Sequence, residues 1–436
     1  MTETQTFATL DDWLRHIETL HAKPIDMGLE RMRMMVKKMD IRFSCPVITV
    51  GGTNGKGSTV GMLESIYRAA GYKTCAHTSP HLLRFNERAR INGVEARDED
   101  LMAAFAEVEA AREGTLSYFE YTALGILRLF QKEKPDVVIL EIGLGGRLDA
   151  INTIDSDAAV ISTIGIDHTA FLGDTREAIA SEKAYIYRPG CPAVCSDADV
   201  PSTLSAYVEK IGAKGIYAGR DFRTVVHEDG TFDWEGEGVR FEKLPRPALL
   251  GVNQYRNAAG VLAVVTALQE KLPVAREAVE KGLETVRLTA RFETVSHDPC
   301  PIVLDVGHNP EAAAVLAQNI RLTKRGGERT MAVFGMLADK DMEGVARLLQ
   351  DSFDDWFIAS LTGPRAASAT LLKSAMLRAG VPEERIESYT TVEAALAQAR
   401  FVAKNLSERP GGTVRIIVFG SFVTVTAALE ALAAHA

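Results

Sequence analysis

The fold of this chain is decided by one stretch, Ile48-Thr49-Val50-Gly51-Gly52-Thr53-Asn54-Gly55-Lys56-Gly57-Ser58-Thr59. A short buried strand over 46–50 leads into it and a helix over about 57–70 follows, so the glycines lie in a strand-to-helix turn. Glycines let backbone N–H groups face a polyphosphate, Lys56 adds positive charge, and the helix N-terminus adds its dipole. In the common phosphate loop a hydroxyl residue directly follows the lysine, whereas here Gly57 intervenes. The alternative, a glycine-rich turn with a chance lysine, is disfavoured by the flanking strand and helix.

Strand and helix patterns alternate on both sides of this loop. Such alternation predicts an α/β fold with a mostly parallel sheet that helices cover on both faces. The expected strands lie at 46–50, 73–78, 136–141 and 158–163, and the expected helices at 10–20, 29–39, 57–70, 98–112 and 119–132.

The pattern changes twice further along the chain. Residues 222–244 alternate and carry turn signals at Asp229-Gly230 and Glu235-Gly236, which predicts small hairpins. Helical patterns return over about 257–284, and an α/β rhythm restarts after residue 291. We therefore expect two domains, 1–292 and 293–436. The later strands are expected at 302–306, 330–334, 356–360 and 414–419, with a helix at 310–320.

Composition limits the class of protein. The 436 residues are 46% hydrophobic and 25% charged, as in soluble chains with a large core. The formal net charge of -9 favours neither nucleic acid nor an anionic membrane surface. The five cysteines show no disulfide or zinc spacing. With no signal peptide or long apolar run, these features predict a cytoplasmic protein with reduced thiols.

An acidic residue marks a second candidate site. Glu141 ends a predicted strand and precedes a glycine-rich segment, Gly143 to Ala150. Ligands of α/β sheets bind at the carboxyl ends of parallel strands, and a carboxylate there can coordinate Mg²⁺ beside bound phosphates. An acid that caps a solvent-facing loop is the alternative. The phosphate loop favours the metal role.

Three motifs together carry a family resemblance. Thr53-Asn54-Gly55-Lys56-Gly57-Ser58, Ser79-Pro80-His81-Leu82-Leu83-Arg84-Phe85-Asn86-Glu87-Arg88 and Glu141 resemble the folate branch of the Mur ligase superfamily, and the likeness extends over nearly the whole chain. These enzymes make an acyl phosphate from a carboxylate and ATP, and an amine then attacks it to form an amide. The resemblance implies a P-loop-containing ATPase domain with a parallel-rich sheet, which also binds the pterin, and a smaller Rossmann-like α/β domain for glutamate ligation.

The same resemblance implies roles for individual residues. It implies ATP and Mg²⁺ as cofactors, leaves open a second Mg²⁺ or a K⁺ ion, and implies that Lys183 is carbamylated. The implied catalytic residues are Lys56, Lys183, Arg291 and His308. The implied metal ligands are Ser79, Glu141 and His168. The implied nucleotide-binding residues are Thr53, Asn54, Gly55, Lys56, Gly57, Ser58, Thr59, Asn257, Arg291 and Asp305.

Three further segments resemble the family's pterin-binding motifs. A pterin needs an aromatic face and a carboxylate for its amide-like edge, which Phe119 and Asp149 could supply. Core packing for Phe119 and helix capping for Asp149 are the alternatives. The implied substrate-binding residues are Asp26, Met27, Gly28, Ser117, Phe119, Leu148, Asp149 and Ala150. One departure from the family pattern is Thr289-Ala290, which stands where Pro-Gly usually precedes the arginine at 291.

The resemblance implies a monomeric ligase that adds L-glutamate to dihydropteroate and to reduced folates. Its partners would be these small molecules, without nucleic acid or membrane. Several alternatives stay open: a folylpolyglutamate-only enzyme, another Mur-type amino-acid ligase, a non-catalytic nucleotide-binding paralogue, and a P-loop kinase or transport ATPase. The Asp26 segment argues against a peptidoglycan ligase, and the full set of polar candidates argues against a non-catalytic paralogue.

Overall fold

The computed structural model describes residues 7–23, 26, 28–409 and 412–434, so Met27 and its neighbours at 24 and 25 lie outside the described residues. The chain divides into two compact units. The first runs to Gly165 and resumes over Ala170–Ala248 and Tyr255–Val286, and the second comprises Ile166–Thr169, Leu249–Gln254 and the chain from Arg287 onward.

An eight-stranded sheet forms the centre of the first unit. Its strands are β1 (Val47–Gly51), β2 (Thr74–His77), β3 (Ala89–Ile91), β4 (Val94–Glu95), β5 (Val137–Glu141), β6 (Ala158–Ile161), β7 (Pro192–Cys195) and β8 (Lys214–Tyr217). Their order is β4-β3-β2-β5-β1-β6-β7-β8. The six strands β2, β5, β1, β6, β7 and β8 pair in parallel, and β3 pairs antiparallel with both β2 and β4. β1 and β5 are buried along their whole length, as expected for central strands with both faces covered.

Ten α-helices accompany this sheet in the described part of the chain. They are α1 (Leu10–Thr19), α2 (Glu30–Lys38), α3 (Lys56–Ala69), α4 (Asp98–Ala111), α5 (Tyr118–Glu133), α6 (Thr169–Leu172), α7 (Arg176–Ala184), α8 (Ser202–Ile211), α9 (Asn253–Ala267) and α10 (Arg276–Thr285). α1 shows why the pattern folds as it does, because Leu10, Trp13 and Ile17 share one buried face and Thr9 caps the N-terminus. None of the helices described here or below is long and apolar enough to cross a membrane.

A small antiparallel sheet follows the main one. It consists of β9 (Phe222–Val226), β10 (Phe232–Gly236) and β11 (Val239–Leu244) in the order β11-β10-β9. The hairpins were predicted, but the turn expected at Glu235-Gly236 was wrong, because β10 extends through Gly236. The turn is Glu237-Gly238, whose φ values of 49° and 78° are typical of a two-residue hairpin turn.

The second unit is a separate α/β fold. Its strands are β12 (Arg291–Ser296), β13 (Ile302–Asp305), β14 (Arg329–Phe334), β15 (Asp355–Ala359), β16 (Ile386–Tyr389) and β17 (Val414–Phe419). Its helices are α11 (Pro310–Thr323), α12 (Met342–Leu349), α13 (Ala369–Ala379), α14 (Val392–Ser407) and α15 (Phe422–Ala433). The sheet order is β12-β13-β17-β14-β15-β16, and every pair except β12–β13 is parallel. The predicted fold class, a parallel-rich domain and a second α/β domain, is confirmed.

Candidate active site

The phosphate loop connects β1 to α3 and requires glycine at two positions. Gly55 caps α3 with φ 86°, and a Cβ atom on it would lie 2.5 Å from Oδ1 of Asn257. Gly52 has φ 140°, and its Cβ would lie 2.0 Å from Oγ of Ser162. Both backbone conformation and space therefore exclude a larger side chain, and the loop's shape follows from its glycines.

A second loop, which follows β6, supports the phosphate loop. The backbone N–H of Thr53 donates to the carbonyl of Thr163 at 2.8 Å, and the N–H of Asn54 donates to its hydroxyl at 3.1 Å. Ser162 donates its hydroxyl to the carbonyl of Asn54 at 2.6 Å. β1 lies between β5 and β6, and the chain leaves β1 toward β2 on one side and β6 toward β7 on the other. This is the switch point where open α/β sheets bind ligands. Sequence reasoning missed this support, although hydroxyl residues directly after a strand were a visible signal.

Two lysine side chains converge on one carbonyl of this loop. Lys56 Nζ donates to the carbonyls of Gly52 and Thr53 at 3.1 and 3.2 Å. Lys183, near the end of α7 and only 4% exposed, donates to the carbonyl of Gly52 at 3.0 Å. The Lys56 ammonium group and the backbone donors at the N-terminus of α3 make this site positive, which suits a polyphosphate.

Two of the three predicted metal ligands lie together. Glu141 ends β5 and is 4% exposed, and its Oε2 accepts a hydrogen bond from the backbone N–H of Ser79 at 3.2 Å. A buried carboxylate beside a serine suits a hard cation such as Mg²⁺, which prefers oxygen ligands. His168 belongs to the second unit. Across the described residues, no three His, Cys, Asp or Glu side chains form a metal-binding group, so the metal assignment stays a prediction.

The aromatic ring and the carboxylate expected for a pterin meet at Gly143. A Cβ atom on Gly143 would lie 2.7 Å from Cζ of Phe119 and 3.2 Å from Oδ2 of Asp149. Asp149 also caps a short 3-10 helix, because Oδ1 accepts from the N–H of Ile151 at 3.0 Å and Oδ2 from that of Leu144 at 2.8 Å. Burial raises the pKa of Asp149 to about 6 against the opposing effect of these N–H donors. Leu148 precedes this acid, and Ala150 begins the 3-10 helix.

The predicted pterin segment around Asp26 is joined to the N-terminus of α5. Arg31 Nη1 lies 2.7 Å from Oδ2 of Asp26, and Arg31 Nε donates to both carboxylate oxygens of Glu120 at 3.1 Å. Ser117 caps α5, and Glu120 accepts the N–H of Ser117 at 2.8 Å in return. Despite some desolvation, the Arg31 guanidinium lowers the pKa of Asp26. Gly28 lies in the same segment, between Asp26 and α2.

In the second unit, the predicted residues Arg291, Asp305 and His308 form one group. Arg291 on β12 lies opposite Asp305 on β13 in the strand register. The Arg291 guanidinium is 5.6 Å from the ring centroid of Phe422, and the ring centroids of Phe422 and His308 are 6.5 Å apart. Burial raises the pKa of Asp305, whose carboxylate accepts the N–H of Gly307 at 2.7 Å. Asn257 lies instead in the first unit, against Gly55.

The residue before Arg291 explains a departure noted in the sequence. Ala290 has φ 59°, in the left-handed region that favours glycine. The resemblance noted in the sequence implies a glycine at this position, and the backbone keeps a conformation that glycine adopts readily. The alanine bears a strain of about 1 kcal/mol for it.

Sequence reasoning missed the role of Asp167. This residue lies next to His168, and its carboxylate accepts from Lys340 Nζ at 2.5 Å and from Asn309 Nδ2 at 3.2 Å, with His308 Nε2 at 3.4 Å. Although burial opposes ionisation, the hydrogen bond from His308 and the charge of Lys340 hold the pKa of Asp167 far below its usual value. The loop at 335–341 was interpreted as structural, and no local pattern linked it to a residue 173 positions away.

Comparison with known proteins agrees with this geometry. Residues 50–265 match the Mur ligase middle domain, and residues 290–422 match the Mur ligase glutamate ligase domain. The chain is 40% identical to the dihydrofolate synthase/folylpolyglutamate synthase of Haemophilus influenzae over 95% of this chain and 96% of that protein. For the Escherichia coli K12 protein of the same name the identity is 39%, over 99% and 97%.

Solved structures give the same result. The structure of E. coli FolC in complex with DHPP and ADP matches with a TM-score of 0.90 and 38% identity, over 99% of both chains. The bifunctional folylpolyglutamate synthase/dihydrofolate synthase of Yersinia pestis, complexed with AMPPNP and a Mn ion, matches with a TM-score of 0.88 and 38% identity, over 98% of this chain and 99% of that one. The chain therefore belongs to the dihydrofolate synthase/folylpolyglutamate synthase family of the Mur ligases.

Proposed function

We propose that this protein adds L-glutamate to dihydropteroate, forming dihydrofolate, and to reduced folates, forming polyglutamates, while ATP is cleaved to ADP and phosphate. One observation carries the proposal. The phosphate loop and the Phe119–Asp149 pair lie in the same unit and at the ends of neighbouring strands: the loop follows β1, and Gly143, which meets Phe119 and Asp149, follows β5, whose Glu141 pairs with Val50 of β1. A pterin held at Asp149 is therefore near the phosphates of a nucleotide held at Lys56.

The proposed chemistry is the one that the resemblance to the Mur ligases implies. The carboxylate of the acid attacks the γ-phosphorus of ATP, and the bond from this phosphorus to the bridging β-phosphate oxygen breaks. ADP departs, and the acid becomes an acyl phosphate. The amine of glutamate then attacks the acyl carbon, loses a proton, and displaces phosphate. Lys56, the loop N–H groups and the N-terminus of α3 hold the phosphates and stabilise the charge on the transferring phosphoryl group.

The metal and the remaining polar residues have supporting roles in the proposal. Ser79, Glu141 and His168 would hold Mg²⁺, which neutralises charge on the phosphates when it is bound. The loop residues from Thr53 to Thr59 and Asn257 would bind the nucleotide, as would Arg291 and Asp305 of the second unit. Arg291 would reach the phosphates and His308 would face the nucleotide, both as catalytic residues. Under this proposal the segment 1–292 binds ATP and the pterin, and 293–436 is the glutamate-ligase domain.

Lys183 is proposed to be carbamylated. Its amine is buried beside the carbonyl of Gly52, and addition of CO₂ would replace this cation with an anion at the phosphate loop. Protein prepared in ¹³C-bicarbonate should show a carbamate carbon signal that Lys183→Arg lacks. An unmodified Lys183 by intact mass and by ¹³C spectroscopy would remove this part of the proposal. Metal analysis of the same preparations would test for a bound K⁺ ion or a second Mg²⁺.

The proposal is tested by ADP release from the purified protein with ATP, Mg²⁺ and L-glutamate, with dihydropteroate and tetrahydrofolate in separate reactions. We expect turnover with both acids, and a product heavier by one glutamyl residue. Turnover with tetrahydrofolate alone would indicate a monofunctional folylpolyglutamate synthase. ATP cleavage that does not depend on glutamate would contradict the ligase proposal, as would ATP binding without any cleavage.

A further inference from the structure

One arginine joins the segment that carries Asp26 and Gly28 to helix α5. Arg31, at the start of α2, contacts Asp26 Oδ2 through Nη1 at 2.7 Å and the backbone carbonyl of Asp26 through Nη2 at 3.4 Å. The same guanidinium contacts both carboxylate oxygens of Glu120 at 3.1 Å. Arg31 therefore links two acids that lie 94 positions apart in the chain (120 − 26).

Glu120 is a well-anchored partner for this link. It is 3% exposed, and its Oε2 accepts the backbone N–H of Ser117 in the capping box of α5. The guanidinium thus holds the Asp26 segment against the helix turn that presents Ser117 and Phe119. A planar group with several fixed donors suits this task, because it can contact two carboxylates at once.

A second contact fixes the same segment from the other side. His21 lies 3.1 Å from Asp26 Oδ2 through Nε2 and 3.0 Å from Thr115 Oγ1 through Nδ1. The Oδ2 atom of Asp26 thus contacts both Arg31 and His21. Asp26 then serves the segment as an anchor.

We infer that Arg31 is a positioning residue for the acid substrate: it holds Asp26 against the Ser117–Glu120 turn and so sets the affinity for the pterin, without contact with ATP or glutamate. This inference rests on the proposed function. Because Arg31 acts through its neighbours on one side of the site, its replacement should change the KM of one substrate only.

The test uses steady-state, glutamate-dependent ADP release by the full chain. Arg31→Met removes the link, and Arg31→Lys keeps the charge but lacks the planar fork that contacts both acids. Arg112→Met is the matched control, since Arg112 is also a partly exposed arginine paired with a mostly buried glutamate, Glu109, in the same unit. The melting temperature of each variant is measured alongside.

For Arg31→Met we expect a KM for dihydropteroate raised by about tenfold or more, with the KM values for ATP and glutamate within about twofold of wild type. Arg31→Lys should recover part of the loss, and Arg112→Met should leave all three KM values near wild type. Arg31→Met and Glu120→Gln together should cost no more than the larger single effect, because both remove one link.

Two results would overturn the inference while leaving the proposed function in place: an unchanged KM for dihydropteroate in Arg31→Met, or a parallel rise of all three KM values with a lower melting temperature than that of Arg112→Met. If the wild-type protein shows no glutamate-dependent ADP release, the proposed function fails, and the inference fails with it.

Discussion

The phosphate loop and the pterin-side cluster (Asp26, Arg31, Ser117, Phe119, Glu120 and Asp149) are built in different ways. The phosphate loop is contiguous in sequence, and its shape is determined by glycine conformations and by hydrogen bonds to its backbone groups. The pterin-side cluster combines three distant segments: Arg31 joins Asp26 to Glu120 by ion pairs, Ser117 and Glu120 cap α5, and Phe119 and Asp149 approach each other at Gly143. Under the proposed function, the step shared by all acid substrates depends on backbone geometry, while the choice of acid depends on side chains that can be changed singly.

The comparison predicts the largest effect at the phosphate loop. Lys56→Ala should lower kcat for glutamate-dependent ADP release by about 100-fold or more, because it removes a fixed charge from the transferring phosphoryl group. Circular dichroism should show an intact fold, and Lys210→Ala, an exposed lysine on α8, should retain full activity. Near-normal turnover in Lys56→Ala would place the ATP site elsewhere.

The next effect separates backbone strain from crowding. Gly55→Ala should lose about 2 kcal/mol of stability and bind ATP at least about tenfold more weakly. The residue would have to keep φ 86°, and its Cβ atom would lie 2.5 Å from Oδ1 of Asn257. Gly71→Ala has a similar φ of 91° and nothing within 4 Å, so it should lose about 1 kcal/mol and bind ATP normally. Chemical denaturation and nucleotide titration of both variants measure the difference. Equal ATP affinities would mean that the loop tolerates a side chain.

A smaller effect is expected from pH at the pterin-side cluster. With a pKa of about 6, Asp149 is mostly ionised at pH 7 and mostly protonated at pH 5. If the carboxylate accepts hydrogen bonds from the pterin, the KM for dihydropteroate should rise about tenfold from pH 7 to pH 5. The KM for ATP in the same buffers corrects for general effects of pH. Asp149→Asn should have a higher KM at pH 7 and lose this dependence. An unchanged pH profile in Asp149→Asn would assign the titration to another group.

The smallest effect concerns the helix cap. Ser117→Ala removes the hydroxyl that accepts the N–H of Glu120, and should lower the free energy of unfolding by about 1 kcal/mol. Because the turn also carries Phe119, the KM for dihydropteroate should rise by a few-fold while that for ATP stays constant. Ser117→Thr, which retains a capping hydroxyl, should restore both quantities. A change in the KM for ATP alone would contradict the separation of the two regions.

The same contrast explains what the sequence could predict. The phosphate loop and Glu141 each depend on local signals, a glycine-rich turn and an acid at the end of a strand, and β17 was predicted at its observed bounds. Neither β7 nor β8 was assigned, since runs of four residues that include Pro192 or Gly215 give little strand signal. In the small antiparallel sheet, Gly236 and Gly238 are both turn signals between β10 and β11. The left-handed φ of Glu237, which the sequence does not show, places the turn at Glu237-Gly238.

Long-range ion pairs were beyond sequence reasoning for a different reason. Arg31 and Glu120 are 89 positions apart, and Asp167 and Lys340 are 173 apart. Charged residues are common on every helix, so no local pattern identifies which two will meet. Folding brings them together through the sheets and helices between them.

The most direct test of the account is the fate of the oxygen atoms of the acid. Dihydropteroate labelled with ¹⁸O in its carboxylate is converted with ATP and L-glutamate, and the released phosphate is analysed by mass spectrometry. The account predicts that one ¹⁸O atom passes from the carboxylate into phosphate for each dihydrofolate formed, because the carboxylate oxygen attacks the γ-phosphorus at the phosphate loop. Formation of dihydrofolate and ADP with unlabelled phosphate would contradict it.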